Sequence, residues 1–401
     1  MRRGAGVATA TWEDLSVTER TRLGTGWEGA VLLLLTLVLL SFGLVMLYSA
    51  SAANAQMNGL ADYYYVARQA VGGAVGLVGL AVLARIDYRH LRRLSWPILG
   101  AVILLLLVVV MPGTQPIAPE INGARRWLVV GGMTLQPSEF AKLALVIWTA
   151  ALAVKKQDKL PSLSRGLLPF LVVWGVVAGL IALEPSLSAA AMVVLMASLV
   201  VFAAGARIGH FLVLGLVGLP LLWGQVEAAA YRMRRVIAFL DPSHDPAGVS
   251  YQIRQSLIAV GSGGPLGRGF GRGEQKFGFL PEAHNDFLFA MIGEEWGFVG
   301  VFAVVALFVG FAMVGYRVAR QAPDLFGSLL AIGATNLIVV QALLHIAVNL
   351  ALVPTTGVTL PFFSYGRSSL LVCLAAVGVL ISIARAGSRD EPAVDPMGGV
   401  A

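Results

Sequence analysis

The chain alternates between long apolar runs and short polar connections, and ten of the apolar runs are long enough to cross a membrane. A helix needs about 20 predominantly apolar residues to span the hydrocarbon core of a bilayer. The pattern therefore predicts an all-α integral membrane protein with ten transmembrane helices. The ten runs cover residues 26–49, 66–85, 94–111, 137–154, 166–183, 185–204, 208–224, 286–316, 326–352 and 367–384.

Composition and charge placement agree with this class and orient the chain. Hydrophobic residues make up 57% of the sequence, charged residues 13%, and the mean hydropathy is +0.79. Short cytoplasmic loops concentrate Lys and Arg, and seventeen of the 29 basic residues share one side if the N-terminus is cytoplasmic. We therefore expect both termini in the cytoplasm, with residues 1–25 and 386–401 as tails around one membrane domain at residues 26–385.

The net charge of +7 follows mostly from this topology. A nucleic-acid surface needs a clustered basic face with aromatic platforms, whereas these cations are scattered over many short loops. The first apolar run is longer than the roughly 7 to 15 residues of a signal peptide core, so we expect a retained first helix. The composition thus argues against nucleic-acid binding and secretion.

Two predicted extracytoplasmic connections are long, at residues 112–136 and 225–285, and long loops in compact proteins usually carry function. The larger one joins predicted helices seven and eight. It contains a glycine-rich run at residues 261–273, where backbone N–H groups can approach a phosphate closely. No Lys-Ser/Thr pair follows, so the run is not a P-loop, and a mobile loop is the competing interpretation.

Several charged residues near the membrane boundary are candidates for binding. Glu139 and Lys142 lie three positions apart on one predicted helix face, so they either bind a ligand or form a structural ion pair. Arg125 and Arg126 lie on the side that the topology predicts to be poor in cations, which favours an anionic ligand. An amphipathic surface helix is the competing interpretation for their loop. Glu184 begins a Glu-Pro-Ser turn.

Residues 281–300 place acidic groups at the mouth of an apolar run and inside it. Carboxylates at lipid depth are costly and suggest function. Asp286 lies at the mouth, where it also fits a helix N-cap position. His284 lies two residues away, and the five histidines of the chain form no helical ligand pair. We therefore predict no zinc or other metal site.

A segment rich in Gly, Pro, Ser and Thr, residues 354–369 (PTTGVTLPFFSYGRSS), separates the last two apolar runs. Irregular backbone near a membrane is tolerated where it is buried in protein or lines a watery cavity. The segment suits the wall of a site for a lipid-linked substrate.

Four segments together resemble the SEDS family (shape, elongation, division and sporulation). They are NGARRW with LQPSEFAK, YQIRQSLIAVGSGGPLGRG, PEAHNDFLFAMIGEE and LVPTTGVTLPFFSYGRSS, and they occur in the family's order within residues 26–386. The resemblance implies a peptidoglycan glycosyltransferase that polymerises lipid II, a disaccharide-pentapeptide on undecaprenyl diphosphate, at the outer face of the bacterial cytoplasmic (inner) membrane. The HNDF and IGEE segments look more like the cell-division branch than the elongation branch, which implies a location at the septum.

By the family's motif, Asp286 would be the general base that deprotonates the sugar 4-hydroxyl of one lipid II. Arg125, Arg126 and Lys142 would stabilise the diphosphate that leaves the growing strand. Glu294 and Glu295 would serve as a buried structural or coupling element.

The resemblance suggests further contacts with substrate. Ser262 and the glycine-rich run would shape the entrance of the site. The remaining candidates for substrate binding are Glu139, Glu184, Glu282, His284, Ser364, Tyr365 and Arg367.

The chain departs from the family's pattern at two places. The family usually has Gly-Gly after Ser-Tyr, whereas here Arg367 follows Gly366, which puts close helix packing in doubt unless the guanidinium reaches the cavity or a phosphate. The family often has Glu-Pro-Asp-Leu-Gly where residues 184–188 read Glu-Pro-Ser-Leu-Ser. Neither departure touches Asp286.

The resemblance also implies partners, namely a single-span class B penicillin-binding transpeptidase and other division proteins. No cofactor is predicted, and a requirement for a divalent cation is left open. Two other functions remain as alternatives. A flippase or transporter of the lipid-linked precursor would use midplane polar groups and broken helices, and a noncatalytic scaffold for a transpeptidase would tolerate replacement of Asp286. The concentration of polar motifs at the outer side and the lack of a clear repeat favour the enzyme.

Overall fold

The computed structural model describes residues 26–121, 123–131, 133–241 and 248–389. The predicted N-terminal tail and residues 390–401 lie outside the described residues. Most of the described chain is helical, with one small sheet. The helices are α1 (Glu28–Met57), α2 (Tyr64–Arg85), α3 (Arg89–Val110), α4 (Pro137–Lys155), α5 (Leu168–Leu183), α6 (Leu187–Ala203), α7 (Ile208–Glu227), α8 (Ala230–Leu240), α9 (Val249–Ser262), α10 (Leu288–Gln321), α11 (Leu325–Asn349) and α12 (Arg367–Arg389).

Within these ranges, nine helices are long and apolar enough to cross a membrane, one of them made of α5 and the turn of π-helix before it at Leu163–Leu167. The tenth predicted run is α6, a shorter apolar helix of 17 residues. Together these ten helices lie on the ten predicted apolar runs. The predicted class, an all-α membrane protein, is therefore confirmed, while the count of ten crossings stays a prediction.

Several helix ends differ from the predicted ones. α1 continues to Met57 and α3 begins at Arg89, because polar residues can extend a helix beyond the apolar stretch that defines a span. α10 begins at Leu288, so Asp286 lies in the preceding turn. The loop before α12 binds this turn, because the amide of Tyr365 donates to the carbonyl of His284 at 3.0 Å. That carbonyl is therefore engaged outside α10.

The first long loop forms a two-stranded antiparallel hairpin rather than the amphipathic helix considered above. β1 (Leu128–Val130) pairs with β2 (Met133–Leu135), with Leu128 opposite Leu135. The amide of Val129 also donates to the carbonyl of Ile117 at 2.8 Å, which ties the hairpin to the preceding loop. The second long loop contains α8 and α9, two short helices that the apolar pattern does not predict.

The most buried helices are α4, α11 and α12, which form the centre of the bundle. Small residues let neighbouring backbones approach: a Cβ on Gly378 of α12 would lie 2.7 Å from the carbonyl oxygen of Leu80 of α2. α7 differs from the other long helices because it has no buried residue. The bundle is therefore tightly packed at its centre and loose at α7.

The glycine-rich run packs against α10, where Gly297 interrupts the helix with a φ of 63°. The amides of Arg268 and Gly269 each donate at 3.0 Å to the carbonyls of Glu294 and Glu295. A Cβ on Gly267 would lie 2.2 Å from the carbonyl oxygen of Glu295. The glycines of the run therefore allow close contact with a helix, which is a different use from phosphate binding.

Candidate active site

A cavity of about 780 Å³ opens at the end of the bundle where α2, α4, α6 and α12 begin. The lining also draws on the hairpin, on α8 and on the segments before α10 and α12. Six cations and three acids contribute to it, a balance that attracts anions. The charged lining residues are Arg68, Arg126, Glu139, Lys142, Arg232, Arg235, Glu282, Asp286 and Arg367.

Asp286 lines this cavity from the turn before α10. Its carboxylate makes no hydrogen bond or ion pair with the residues that the structure describes, although its main-chain oxygen accepts a bond from Asn349. The N-cap position of α10 is Phe287, and no side chain caps it from within the turn. Asp286 therefore does not cap the helix, and its carboxylate is free to meet a ligand.

The electrostatic surroundings of Asp286 suit proton transfer at neutral pH. Burial, together with the negative charge of Glu282, raises the pKa of the Asp286 carboxyl to about 7. The positive charges of Arg235 and Arg126 oppose this rise. A general base works best when its pKa lies near the operating pH, so this carboxylate has the acidity that the role requires.

Arg126 reaches the cavity from the loop before the hairpin and is fixed by backbone oxygens. Its Nε donates to the carbonyl of Glu184 at 2.9 Å, and its Nη2 donates to the carbonyl of Pro185 at 2.7 Å. Neither acceptor is a carboxylate, so the positive charge of Arg126 is not neutralised by these contacts. The guanidinium is thereby pre-positioned for an anionic ligand.

Two arginines of α8 face the same cavity. Arg235 donates from Nη1 to the carbonyl of Thr355 at 3.3 Å, which links α8 to the segment before α12. Arg232 donates to the carbonyl of Gln225 at 2.7 Å and so holds α8 against the end of α7. The helix that the apolar pattern missed therefore supplies cations to the site.

Lys142 lines the cavity and pairs with Glu139, one of the two interpretations that their spacing allows. The Lys142 Nζ lies 2.7 Å from Glu139 Oε1 and 2.9 Å from Gln341 Oε1. Both charged groups line the cavity, so the ion pair and a contact with ligand are compatible.

Arg367 begins α12 and extends toward the hairpin. Its Nη2 donates to Thr134 Oγ1 at 2.9 Å. A Cβ on Gly72 of α2 would lie 3.1 Å from Arg367 Cγ, so a glycine makes room for the arginine stem. The position is therefore compatible with close packing, and the guanidinium reaches the cavity.

Tyr365 lines the cavity, whereas His284 lies behind it. The His284 ring is 5% exposed and packs against Tyr65 at 4.6 Å between ring centroids. Burial lowers the pKa of the His284 imidazole, against the opposing charge of Glu282. His284 therefore supports the wall of the site and does not reach a ligand there.

Four other predicted residues also lie outside the cavity lining. Arg125 folds back on its own loop, where it bonds Thr114 Oγ1 at 2.6 Å and two carbonyl oxygens. Ser262 donates to the carbonyl of Ala259 within α9 at 3.0 Å. Ser364 donates to the carbonyl of Asn285 at 2.6 Å and so shapes the turn before Asp286.

The fourth residue, Glu184, is 1% exposed beneath the turn that Arg126 holds. Burial raises the pKa of its carboxyl to about 8, against opposing effects of Arg126 and the hydroxyl of Ser138. A carboxyl of this acidity is protonated at neutral pH. Glu184 is thus a neutral buried group behind the cavity rather than an anionic ligand of it.

Glu294 and Glu295 are fully buried, and Glu295 Oε2 accepts from the amide of Gly271 in the glycine-rich run at 3.1 Å. Glu294 Oε1 accepts from the amide of Glu274 at 2.8 Å. Glu295 accepts from Ser49 at 2.6 Å and lies 2.8 Å from Lys276 Nζ. Their contacts are those of a structural element, in agreement with the sequence prediction.

Sequence reasoning missed several residues that build the site. Arg68, in the first turns of α2, lines the cavity. Its only signal in the sequence is a positive charge on the outer side of the membrane, where the topology predicts few cations. Gln341 and Asn349 lie with His345 at intervals of four in an apolar run, a spacing that places all three on one helix face.

No group of three His, Cys, Asp or Glu side chains within the described ranges is arranged to hold a metal ion.

The sequence of this chain is similar to known proteins over most of its length. Residues 30–389 match the FtsW/RodA/SpoVE family model, described as cell cycle protein. The probable peptidoglycan glycosyltransferase FtsW of Trichlorobacter lovleyi is 43% identical over 362 residues, covering 90% of this chain and 94% of the relative. The stage V sporulation protein E of Bacillus subtilis is 40% identical over 355 residues, covering 88% and 96%.

Solved structures share the fold. A chain from a peptidoglycan synthase complex that coordinates polymerization and crosslinking is 34% identical, with a TM-score of 0.71 over 90% of this chain and 98% of its own. The rod shape determining protein RodA of Thermus thermophilus is 30% identical, with a TM-score of 0.64 over 88% and 95%. The predicted family is thereby confirmed: this multi-pass membrane protein belongs to the FtsW/RodA/SpoVE family, which is the SEDS family that its sequence motifs resemble.

Proposed function

We propose that this protein is a peptidoglycan glycosyltransferase that polymerises lipid II, with Asp286 as the general base. The observation that carries the proposal is the position of the Asp286 carboxylate, which is unbonded among the described residues and faces a cavity lined by six cations. Membership of a family whose relatives carry the name peptidoglycan glycosyltransferase supports it. The substrate combines a hydroxyl to be deprotonated with a diphosphate to be stabilised, and the cavity offers groups for both.

The reaction needs one base and a cationic surface. Asp286 accepts the proton of the sugar 4-hydroxyl of one lipid II, and that oxygen attacks the anomeric carbon at the lipid-linked end of the growing strand. The bond between this carbon and the diphosphate oxygen breaks, and undecaprenyl diphosphate leaves with the bonding electrons. Arg126, Arg235 and Lys142 stabilise the charge of the leaving group. No acid is required, because a diphosphate is a stable anion.

We place the reaction at the outer face of the bacterial cytoplasmic membrane, with both chain termini in the cytoplasm. The cavity lies at the end of the bundle that the charge distribution assigns to the outside. Relatives named FtsW support the cell-division branch and therefore a location at the septum. The peptidoglycan synthase complex among the similar structures supports a partner of the transpeptidase class, and other division proteins remain further proposed partners.

Polymerisation of lipid II by purified protein with its transpeptidase partner tests the proposal. We expect Asp286→Asn to abolish glycan synthesis while leaving the protein folded. Asp62→Asn is the matched control, because Asp62 is only partly buried, lies outside the cavity lining and bonds only the Tyr48 hydroxyl among the described side chains. Glycan synthesis by Asp286→Asn at the parent rate would contradict the assignment. Precursor translocation in vesicles without glycan product would identify a flippase instead, and a noncatalytic scaffold would yield neither product nor translocation.

A further inference from the structure

Three polar side chains lie in a row on one face of the mostly apolar helix α11. Gln341, His345 and Asn349 are spaced four residues apart, and none is more than 1% exposed. Buried polar groups in a membrane helix are costly, so those that occur are bonded and often functional. We refer to these three residues as the polar ladder.

Asn349, at the end of the polar ladder, holds the turn that carries Asp286. Its Nδ2 donates to the main-chain oxygen of Asp286 at 3.0 Å. Its Oδ1 accepts from the amide of Ala290 in the first turn of α10, also at 3.0 Å. The first N–H groups of a helix lack partners within the helix, so one amide from α11 caps α10 and fixes the backbone of Asp286 at once.

Gln341, at the other end of the polar ladder, holds Lys142. Its Oε1 accepts from Lys142 Nζ at 2.9 Å. Its Nε2 donates to the carbonyl of Thr359 at 3.1 Å and to Ser369 Oγ at 3.0 Å. Both the oxygen and the nitrogen of the Gln341 amide are therefore hydrogen-bonded, and they link the Lys142 ammonium group to the segment before α12.

His345 holds the cavity wall between these two points. Its Nδ1 lies 2.8 Å from the carbonyl oxygen of Val358, an acceptor, so this nitrogen carries the proton. Val358 and Thr359 both belong to the lining. Eight residues of helix rise about 12 Å, so α11 provides a rigid spacer between the contact to Lys142 and the contact to Asp286.

We propose that the polar ladder positions the base and a cation of the site relative to one another, with Asn349 setting the place of Asp286 and Gln341 that of Lys142. The inference rests on the function proposed above. These are positioning residues, because none of the three lines the cavity. Displacing a base by about 1 Å can cost on the order of a hundredfold in rate, so this arrangement bears directly on turnover.

Steady-state polymerisation by Asn349→Ala, with the transpeptidase partner present, tests the proposal. We expect kcat to fall about tenfold or more while KM stays within about twofold, because proton transfer is felt in the transition state and not in substrate binding. Asn336→Ala is the matched control: the same residue type on the same helix, 6% exposed, with its side chain bonded to the Tyr316 hydroxyl. A merely structural role predicts the same loss of activity in both variants.

Asn349→Asp provides a second variant that keeps a cap for α10. An aspartate still accepts from the amide of Ala290 and suits a helix N-terminus, but it cannot donate to the Asp286 carbonyl when ionised. We expect a lower kcat and an upward shift of the acidic limb of the pH profile, since a new anion lies beside Asp286. Parent kcat in Asn349→Asp, or equal losses in Asn349→Ala and Asn336→Ala, would overturn the proposal. If Asp286→Asn itself polymerised at the parent rate, the proposed function would fail instead.

Discussion

The ammonium group of Lys142 and the carboxylate of Glu139 form an ion pair at 2.7 Å inside the lining of the cavity. The two side chains are only 4% and 12% exposed. Removing one member of such a pair leaves an uncompensated buried charge, whereas replacing both with neutral groups of similar size costs little. Stability and activity therefore depend on this pair in different ways.

We expect Lys142→Met to lower the free energy of unfolding by about 3 kcal/mol and to abolish polymerisation. The double variant Lys142→Met/Glu139→Gln should regain most of the stability and none of the activity, because the cation that faces the substrate is still missing. Thermal unfolding in detergent and a polymerisation assay measure the two properties separately. Recovery of activity in the double variant would show that Lys142 acts only as the partner of Glu139.

The pH dependence of kcat/KM should report the Asp286 carboxyl. Its pKa of about 7 is raised by burial and by Glu282 and is opposed by Arg235 and Arg126. The base works only when ionised, so kcat/KM should rise with pH through a midpoint near this value. Glu282→Gln removes a raising charge and should lower the midpoint, whereas Arg235→Gln removes a lowering charge and should raise it, each by about half a unit.

Full pH profiles of the two variants supply the measurement, with the midpoint and not the rate as the readout, because both residues also line the cavity. Shifts in the same direction in both variants would mean that a group other than Asp286 governs the acidic limb.

Glu184 gives a pH dependence of stability with a defined sign. Burial raises the pKa of its carboxyl from 4.5 to about 8, so the folded protein keeps a proton that the unfolded chain loses between these values. Glu184 therefore does not lower the free energy of unfolding below about pH 4.5, and it lowers it progressively as the pH rises toward 8. Glu184→Gln keeps a neutral side chain, so its Tm relative to the parent should increase between pH 5 and pH 8.

Thermal unfolding of parent and variant at several pH values in this window measures the effect. Glu227→Gln is the control, because it makes the same substitution at an exposed position, at the end of α7. A constant difference for Glu184→Gln would contradict a neutral Glu184 in the folded protein.

Local patterns in the sequence predict the helices and the contacts between residues that are close together along the chain. The apolar runs locate the long helices, and the spacing of Glu139 and Lys142 allows their ion pair as one of two interpretations, because residues three apart share a helix face. Asp286 is a candidate from the sequence because it lies at the mouth of an apolar run.

Contacts between distant segments were beyond such signals. Asn349 bonds the backbone of a residue 63 positions away, and a contact between residues so far apart leaves no periodic pattern in the sequence. Arg235 reaches the cavity through α8, a short amphipathic helix whose apolar content is too low to mark a span. The glycine-rich run also fits a phosphate-binding loop by sequence, because glycines allow a close approach of the backbone to a ligand and to a helix alike.

The contact between that run and α10 leads to a last prediction, on Gly267 and Gly261. Gly267 has a φ of +80°, and a Cβ there would lie 2.2 Å from the main-chain oxygen of Glu295. Gly267→Ala should therefore destabilise the protein by more than about 2 kcal/mol, through backbone strain and steric overlap. Gly261→Ala is the control, because that glycine lies in α9 with nothing within 4 Å of an added Cβ, and alanine there should be neutral or slightly stabilising. Thermal unfolding of both variants measures the difference, and equal stability would mean that the loop can leave α10 without cost.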